Sequence, residues 1–252
     1  MTDDTSLILS DHPGGVACIT LDAAPVNALT AENLMAFATL IERLETDDTV
    51  RAVMIASSCK VFSAGLNLKQ AQTFGVAEQH AIVKGLNQGF LALFKCSKPT
   101  VVAVNGAAIA GGLFYVLASD VRVAAPAASF GLAEVRVGAD FPLGPLEIAR
   151  AMLSPNELRR LMMTGQPITA DEAKISGIVD KVVPAETLLQ EALAEAAALG
   201  KIPPNTYASV KRQIRGSVID RIEGGIAAGA NAPEGGWFTD ETVPAMRSML
   251  GG

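Results

Sequence analysis

Residues 98–120 read Lys98-Pro99-Thr100-Val101-Val102-Ala103-Val104-Asn105-Gly106-Ala107-Ala108-Ile109-Ala110-Gly111-Gly112-Leu113-Phe114-Tyr115-Val116-Leu117-Ala118-Ser119-Asp120. No charge lies between Pro99 and Ser119, so the stretch must be weighed as a membrane span. Asn105-Gly106 and Gly111-Gly112 decide against it. They cut a short β-branched piece, Thr100 to Val104, from a Leu/Phe/Tyr piece that opens at the second glycine pair, and Asp120 follows at once. The pattern predicts strand, turn and helix inside a buried α/β core.

The same plan stands earlier in the chain. Arg51 to Ala56 predicts a buried strand, Ser57 to Gly65 a loop, and a helix starts at Asn67. Gly65 and Gly111 hold equivalent places, which predicts stacked, related turns of one architecture. Further strands are expected at Val16 to Leu21, Val121 to Ala124, Ser129 to Gly131, Val135 to Val137 and Ile178 to Val183. Thr30 is placed to cap a helix whose stripe is Leu34, Phe37, Leu40, Ile41 and Leu44. Another helix follows Pro142, and Ser154-Pro155-Asn156-Glu157 and Thr169-Ala170-Asp171-Glu172 read as capping boxes, the second helix ending at Gly177. From Pro184 the chain reads as helical, with Leu188 to Leu199, a break at Pro203-Pro204, and Asn205 to about Gly224. This divides it into a core, residues 1–184, and a C-terminal helical region, residues 185–252. Trp237, Phe238, Met246, Met249 and Leu250 then form that region's buried or intersubunit side.

With 252 residues, half of them hydrophobic, the chain has ample material for a core and is not disordered. The formal charge is −6 and no basic cluster exceeds Lys211-Arg212, which argues against nucleic acid or an anionic membrane as partner. Cys18, Cys59 and Cys96 are an odd, scattered set, as expected of reduced thiols in the cytoplasm, and Met1 to Leu7 offers no apolar export signal. His12 and His80 are too far apart to suggest a metal site or a Ser-His-Asp triad. No phosphate-binding loop, dinucleotide fingerprint or G-x-S-x-G elbow occurs.

Two features can carry chemistry. A glycine at a helix start leaves backbone N–H groups unpartnered at the positive end of the dipole, and two such turns brought together would hold an oxyanion; plain turn geometry is the simpler reading of the same glycines. Glu134 lies in the apolar run Phe130-Gly131-Leu132-Ala133-Glu134-Val135, where desolvation would raise its pKa and make it a better base. A solvated strand-edge charge paired with Arg136 is the alternative. Asp140 follows in Val137-Gly138-Ala139-Asp140-Phe141-Pro142.

At these positions the chain resembles the crotonase, or enoyl-CoA hydratase/isomerase, superfamily. The matching segments are Val61-Phe62-Ser63-Ala64-Gly65-Leu66-Asn67-Leu68-Lys69, Lys98-Pro99-Thr100 through Asn105-Gly106 to Gly111-Gly112, Ala118-Ser119-Asp120-Val121-Arg122, and Phe130-Gly131 to Glu134-Val135 and Gly138. Lesser matches run through Ala170-Asp171-Glu172-Ala173 and Gly177-Ile178-Val179-Asp180 to Val182-Val183-Pro184. The resemblance spans essentially residues 5–250 and implies an α/β, crotonase-like spiral of β-β-α turns closed by a C-terminal helical region, assembled as a homotrimer or a dimer of trimers. It implies an acyl-CoA thioester as substrate, with coenzyme A part of that substrate and no separate cofactor. The backbone amides of Leu66 and Gly111 would form the oxyanion hole, Ala64 would meet the adenine, and Ala64, Gly65, Leu66, Asn67 and Leu68 would line the CoA path. Asn67 departs from the usual Asp.

Hydratases of the superfamily carry two glutamates. Here Phe114 stands at the first position and Glu134 at the second. With Phe-Ser-Ala-Gly-Leu in the first motif and Pro25-Val26-Asn27-Ala28-Leu29 near the start, the pattern is most similar to Δ3,Δ2-enoyl-CoA isomerases. Other readings are a hydratase-like protein, a dehalogenase or hydrolase using Asp140 as nucleophile, with Leu132 where its aromatic partner would stand, and a non-catalytic acyl-CoA-binding protein.

Overall fold

The computed structural model describes residues 6–251; most of the Met1 to Leu7 reading therefore lies outside the described residues. In chain order the elements are β1 (Leu7–His12), β2 (Val16–Leu21), α1 (Ala31–Thr46), β3 (Ala52–Ser57), α2 (Leu68–Ala71), α3 (Val76–Lys95), β4 (Thr100–Val104), β5 (Ala108–Ile109), α4 (Leu113–Ala118), β6 (Val121–Ala124), β7 (Ser129–Gly131), α5 (Leu143–Met152), α6 (Pro155–Thr164), β8 (Ile168–Thr169), α7 (Ala170–Ile175), β9 (Lys181–Val182), α8 (Leu188–Leu199), α9 (Pro204–Ala227) and α10 (Thr242–Met249). Short 3-10 turns span Ala110–Gly112 and Glu134–Val137.

Two sheets run alongside each other. The larger has the order β1-β2-β3-β4-β6-β9 and is parallel except for the antiparallel β1-β2 pair. The smaller has the order β5-β7-β8. After β4 the chain enters the smaller sheet at β5, turns through α4 and returns to the larger at β6, and this alternation is the spiral. Central strands are buried on both sides, as their unbroken apolar sequences require: every residue of β4 is buried. Side chains alternate between two cores. Ile19, Ile55 and Val102 face α1, α3 and α4 in the main cluster, whereas Cys18, Met54, Val101 and Val123 pack beneath Leu188, Ala192 and Ala196 of α8. The first helix of the C-terminal region thus covers one face of the sheet.

Several expectations are met residue for residue. Thr30 caps α1 by accepting from Asn33 N–H at 3.1 Å, and Leu34, Phe37, Ile41 and Leu44 are buried. Thr169 and Glu172 form a complete capping box, whereas the one expected at Ser154 is only half formed: Ser154 accepts from Glu157 N–H, but the Glu157 Oε2 has no partner among the described residues. Residues 98–120 fold as strand, turn and helix, and no helix among the described residues is long and apolar enough to cross a membrane.

Other expectations are corrected. Val135–Val137 is not a strand. It belongs to the 3-10 turn Glu134–Val137, which Gly138 ends at φ +62. The strand expected over Ile178–Val183 is only Lys181–Val182, because Ile178 and Val179 close α7 through their N–H bonds to Ala173 O and drop into the main core. The helix starting at Asn67 is a single turn. Strand β1 escaped notice because it is an edge strand with an exposed centre, so its Ser10-Asp11 breaks the apolar pattern. Of the apolar C-terminal residues, Met246 is buried, whereas Met249 and Leu250 are exposed.

Candidate active site

The site grows from three chain segments that glycine lets touch. Buried Asn27, in the left-handed region at φ +47, accepts from Ala23 N–H at 2.7 Å and donates to Ser57 Oγ and Phe62 O. Its carbonyl accepts from Ser63 Oγ at 2.8 Å. This ties residues 23–29 to the turn that follows β3. That turn is sewn to the one after β4 by Ser63 N–H to Ala107 O and Ile109 N–H to Ser63 O, both 3.0 Å.

Gly65 sits at φ +77, and a β-carbon there would lie 2.9 Å from both Ala110 Cβ and Ile109 O and 3.3 Å from Gly111 N. At Gly112 it would lie 2.5 Å from Ser63 O. Only glycine allows this approach. Leu66, after Gly65, and Gly111, before Gly112, present N–H groups that donate to no other group among the described residues. Two free amides on adjoining turns are the geometry that can hold a developing oxyanion. Ala110, between them in sequence, takes φ +51, an uncommon conformation for a residue with a side chain.

These turns open onto a cavity of about 110 Å³ whose lining includes Ala64, Leu66, Leu68, Gly111, Phe114 and Glu134. Gly65 does not line it but lets the two turns touch. Asn67 is exposed and its side chain instead caps α2, accepting from Gln70 N–H at 3.3 Å. Phe114 is buried against the Phe90 ring, 5.5 Å between centroids, and offers the cavity only hydrocarbon. Among the described lining residues Glu134 alone carries an ionisable side chain.

Glu134 is 8% exposed, and its Oε2 is buried without a hydrogen-bond partner. Burial, only slightly offset by its own backbone N–H, pushes its carboxyl up to about 8. It makes no ion pair with Arg136, so the reading as a solvated charge at a strand edge is overturned. Such a carboxylate exchanges a proton readily near neutral pH. Asp140 is not brought to it: the residue is exposed on a separate groove, and what it offers the cavity wall is its carbonyl, which accepts from Trp237 Nε1 at 3.1 Å.

Sequence reasoning missed the far wall. Trp237, Met246 and Met249, read above as the buried or intersubunit side of the C-terminal region, line the cavity with Val137 and Ala139. The signal available was a single Trp in a chain with few aromatics. Among the described residues no group of three or more His, Cys, Asp or Glu is placed to hold a metal ion.

A family model for enoyl-CoA hydratase/isomerase matches residues 11–231. The chain belongs to the enoyl-CoA hydratase/isomerase family. Within that family it is similar to enoyl-CoA delta isomerase 1 of Mus musculus mitochondria, 31% identical over 219 residues that cover 86% of this chain and 76% of the relative. A probable enoyl-CoA hydratase of Mycobacterium tuberculosis is 29% identical over 250 residues, 99% of this chain and 96% of the relative. The solved structure of human mitochondrial Δ3-Δ2-enoyl-CoA isomerase superposes with a TM-score of 0.89 at 26% identity, covering 98% of this chain and 97% of that one. The architecture is therefore the crotonase-like spiral, and both isomerase and hydratase names occur among relatives of similar identity.

Proposed function

We propose that this family member shifts the double bond of a 3-enoyl-CoA to the 2-position. The observation that carries the reading is the solitary carboxylate: among the described lining residues Glu134 is the one with an ionisable side chain, and Phe114 is its hydrocarbon counterpart. In the proposed reaction the Glu134 carboxylate takes a proton from C2 of the thioester. The electron pair delocalises onto the thioester oxygen, held by the N–H groups of Leu66 and Gly111, and the resulting dienolate recovers the proton at C4 from the same side chain. One acid/base suffices because the proton removed is the proton returned. Hydration instead needs a positioned water and a second group to activate it, and Phe114 cannot do so. Each amide would contribute on the order of 3 kcal/mol of transition-state stabilisation, as single oxyanion donors do elsewhere.

In this reading Ala64 to Leu68 border the CoA path, with Ala64, exposed at the mouth, against the adenine. Asp140 takes no part. The test is to incubate the purified protein with cis- and trans-3-enoyl-CoA, trans-2-enoyl-CoA and 3,5-dienoyl-CoA and to follow products by mass and by the absorbance of the conjugated thioester. Conversion of 3-enoyl to 2-enoyl esters without 3-hydroxyacyl product is expected. Rapid hydration of the 2-enoyl ester overturns the proposal, and turnover of none of them leaves an acyl-CoA-binding role.

A further inference from the structure

The cavity's outer wall hangs on one side chain that does not touch the cavity. Gln79 of α3 is buried, and its Oε1 accepts the backbone N–H of Trp237 at 2.7 Å and of Phe238 at 2.9 Å, while its Nε2 donates to Phe74 O at 3.2 Å. Two N–H donors on the oxygen and a carbonyl on the nitrogen permit only this amide orientation. The approach is so close that a β-carbon on Gly236, at φ +98, would lie 2.5 Å from Gln79 Oε1. Gly235 beside it, also in the left-handed region, has nothing within 4 Å. The backbone carrying Trp237 therefore leaves a pair of glycines in the left-handed region and is caught by Gln79. The indole is caught separately by its bond to Asp140 O. Phe238 stacks parallel to Phe74, whose carbonyl Gln79 also holds.

We propose that Gln79 is a positioning residue for substrate selection: by clamping the two amides it fixes the Trp237 indole across the cavity, and Trp237 so held limits the length of acyl chain admitted. The proposal rests on the acyl-CoA reading of the cavity but not on the reaction performed there. A tightly held aromatic wall excludes added methylenes because neither ring nor backbone can withdraw without losing hydrogen bonds, and pockets of this kind discriminate by about tenfold or more for a misfitting methylene. Glu134 and the Leu66 and Gly111 amides are left untouched by the clamp, so selectivity and chemistry are separable.

The experiment measures Kd for saturated acyl-CoA esters of increasing chain length, which bind without turnover, beside kcat and KM for the matching 3-enoyl esters. Trp237→Ala should improve the affinity ratio of long over short chains by about tenfold or more. Gln79→Met, which keeps length and burial but removes the acceptor, should move the ratio the same way by a smaller factor and raise KM for short chains more than it lowers kcat. Adding it to Trp237→Ala should change the ratio little further, since both act through one ring. Gln79→Glu keeps the acceptor for both amides, and at acid pH, where its carboxylic acid can also donate to Phe74 O, it should keep the wild-type ratio, which a general loosening of the fold would not do. An unchanged ratio in Trp237→Ala, or additive effects in the double variant, overturns the proposal. Absence of isomerase turnover in the wild type, with the Kd ladder shifting as described, would sink the reaction proposed above and leave this inference standing.

Discussion

A carboxyl with an ordinary value of 4.5 that burial raises to about 8 is held in a form the unfolded chain does not share. Above 4.5 the unfolded chain releases this proton while the folded protein keeps it, so the stability associated with Glu134 is full below 4.5, falls as pH rises, and is gone above about 8. Glu134→Gln, neutral at every pH, should therefore melt higher than wild type, with a gap that widens between these limits at roughly 1.4 kcal/mol per pH unit and then levels, as thermal melts across a pH series can check. The same variant should lose isomerase kcat by orders of magnitude while still binding acyl-CoA, and Asp140→Asn should be mild. Activity lost with Asp140→Asn and kept with Glu134→Gln would sink the mechanism. If the carboxylate is the base, as proposed, kcat/KM of the wild type should climb about tenfold per pH unit up to about 8 and plateau beyond. Phe114→Glu should introduce measurable 2-enoyl-CoA hydration, at a stability cost of several kcal/mol for a carboxylate buried against Phe90.

At the level of elements, the two glycine turns matter as a pair. Gly65→Ala must place a β-carbon 2.9 Å from Ile109 O on a left-handed backbone, so it should cost about 2 kcal/mol or more and separate Leu66 from Gly111. A lowered melting temperature with isomerase activity nearly abolished is expected; a fully active variant would show that the turns need not touch. These turns were legible because glycine after a buried parallel strand is a local signal, and Thr100–Val104 and Thr30–Leu44 could be read for the same reason. Glu134 was legible as a carboxylate among apolar neighbours, but its 3-10 turn was not. Val135-Arg136-Val137 alternates like a strand, yet it is turned, with Gly138 left-handed at its end and α6 and α10 packed on it. Trp237 was seen as needing cover, yet what holds it comes from Gln79 and the Asp140 carbonyl, contacts no local pattern encodes. Sequence periodicity reports which face of an element is buried and stays silent on what it is buried against.

Across the whole molecule, one charged knot joins distant parts of the chain. Asp120 at the start of β6 accepts from Thr100 N–H, Tyr207 Oη and Lys211 Nζ and pairs with Arg215, and Lys211 also reaches Lys98 O. Burial pushes the Asp120 carboxyl up, but Lys211 and Arg215 outweigh it and hold the group below its ordinary 3.8. Its contribution is thus present above 3.8 and lost as pH falls through the lower folded value. Asp120→Asn, leaving two cations buried without their anion, should cost about 3 to 5 kcal/mol near neutrality, and the deficit should shrink in acid, as denaturant melts at two pH values can read out. On the same helix Val210 and Ile214 stand exposed one turn apart; we propose that they meet another copy, and sedimentation should give a trimer or a dimer of trimers, a monodisperse monomer at micromolar concentration counting against it. The placement of α8 bears on how the protein is made. The sheet face formed by Cys18, Met54, Val101 and Val123 is complete once β6 has been synthesised, yet the helix that covers it ends at Leu199. At ribosomal rates of roughly 5–20 residues per second, that greasy face waits on the order of 4–15 s for its cover, a window in which nascent chains are sticky and chaperones have their opportunity.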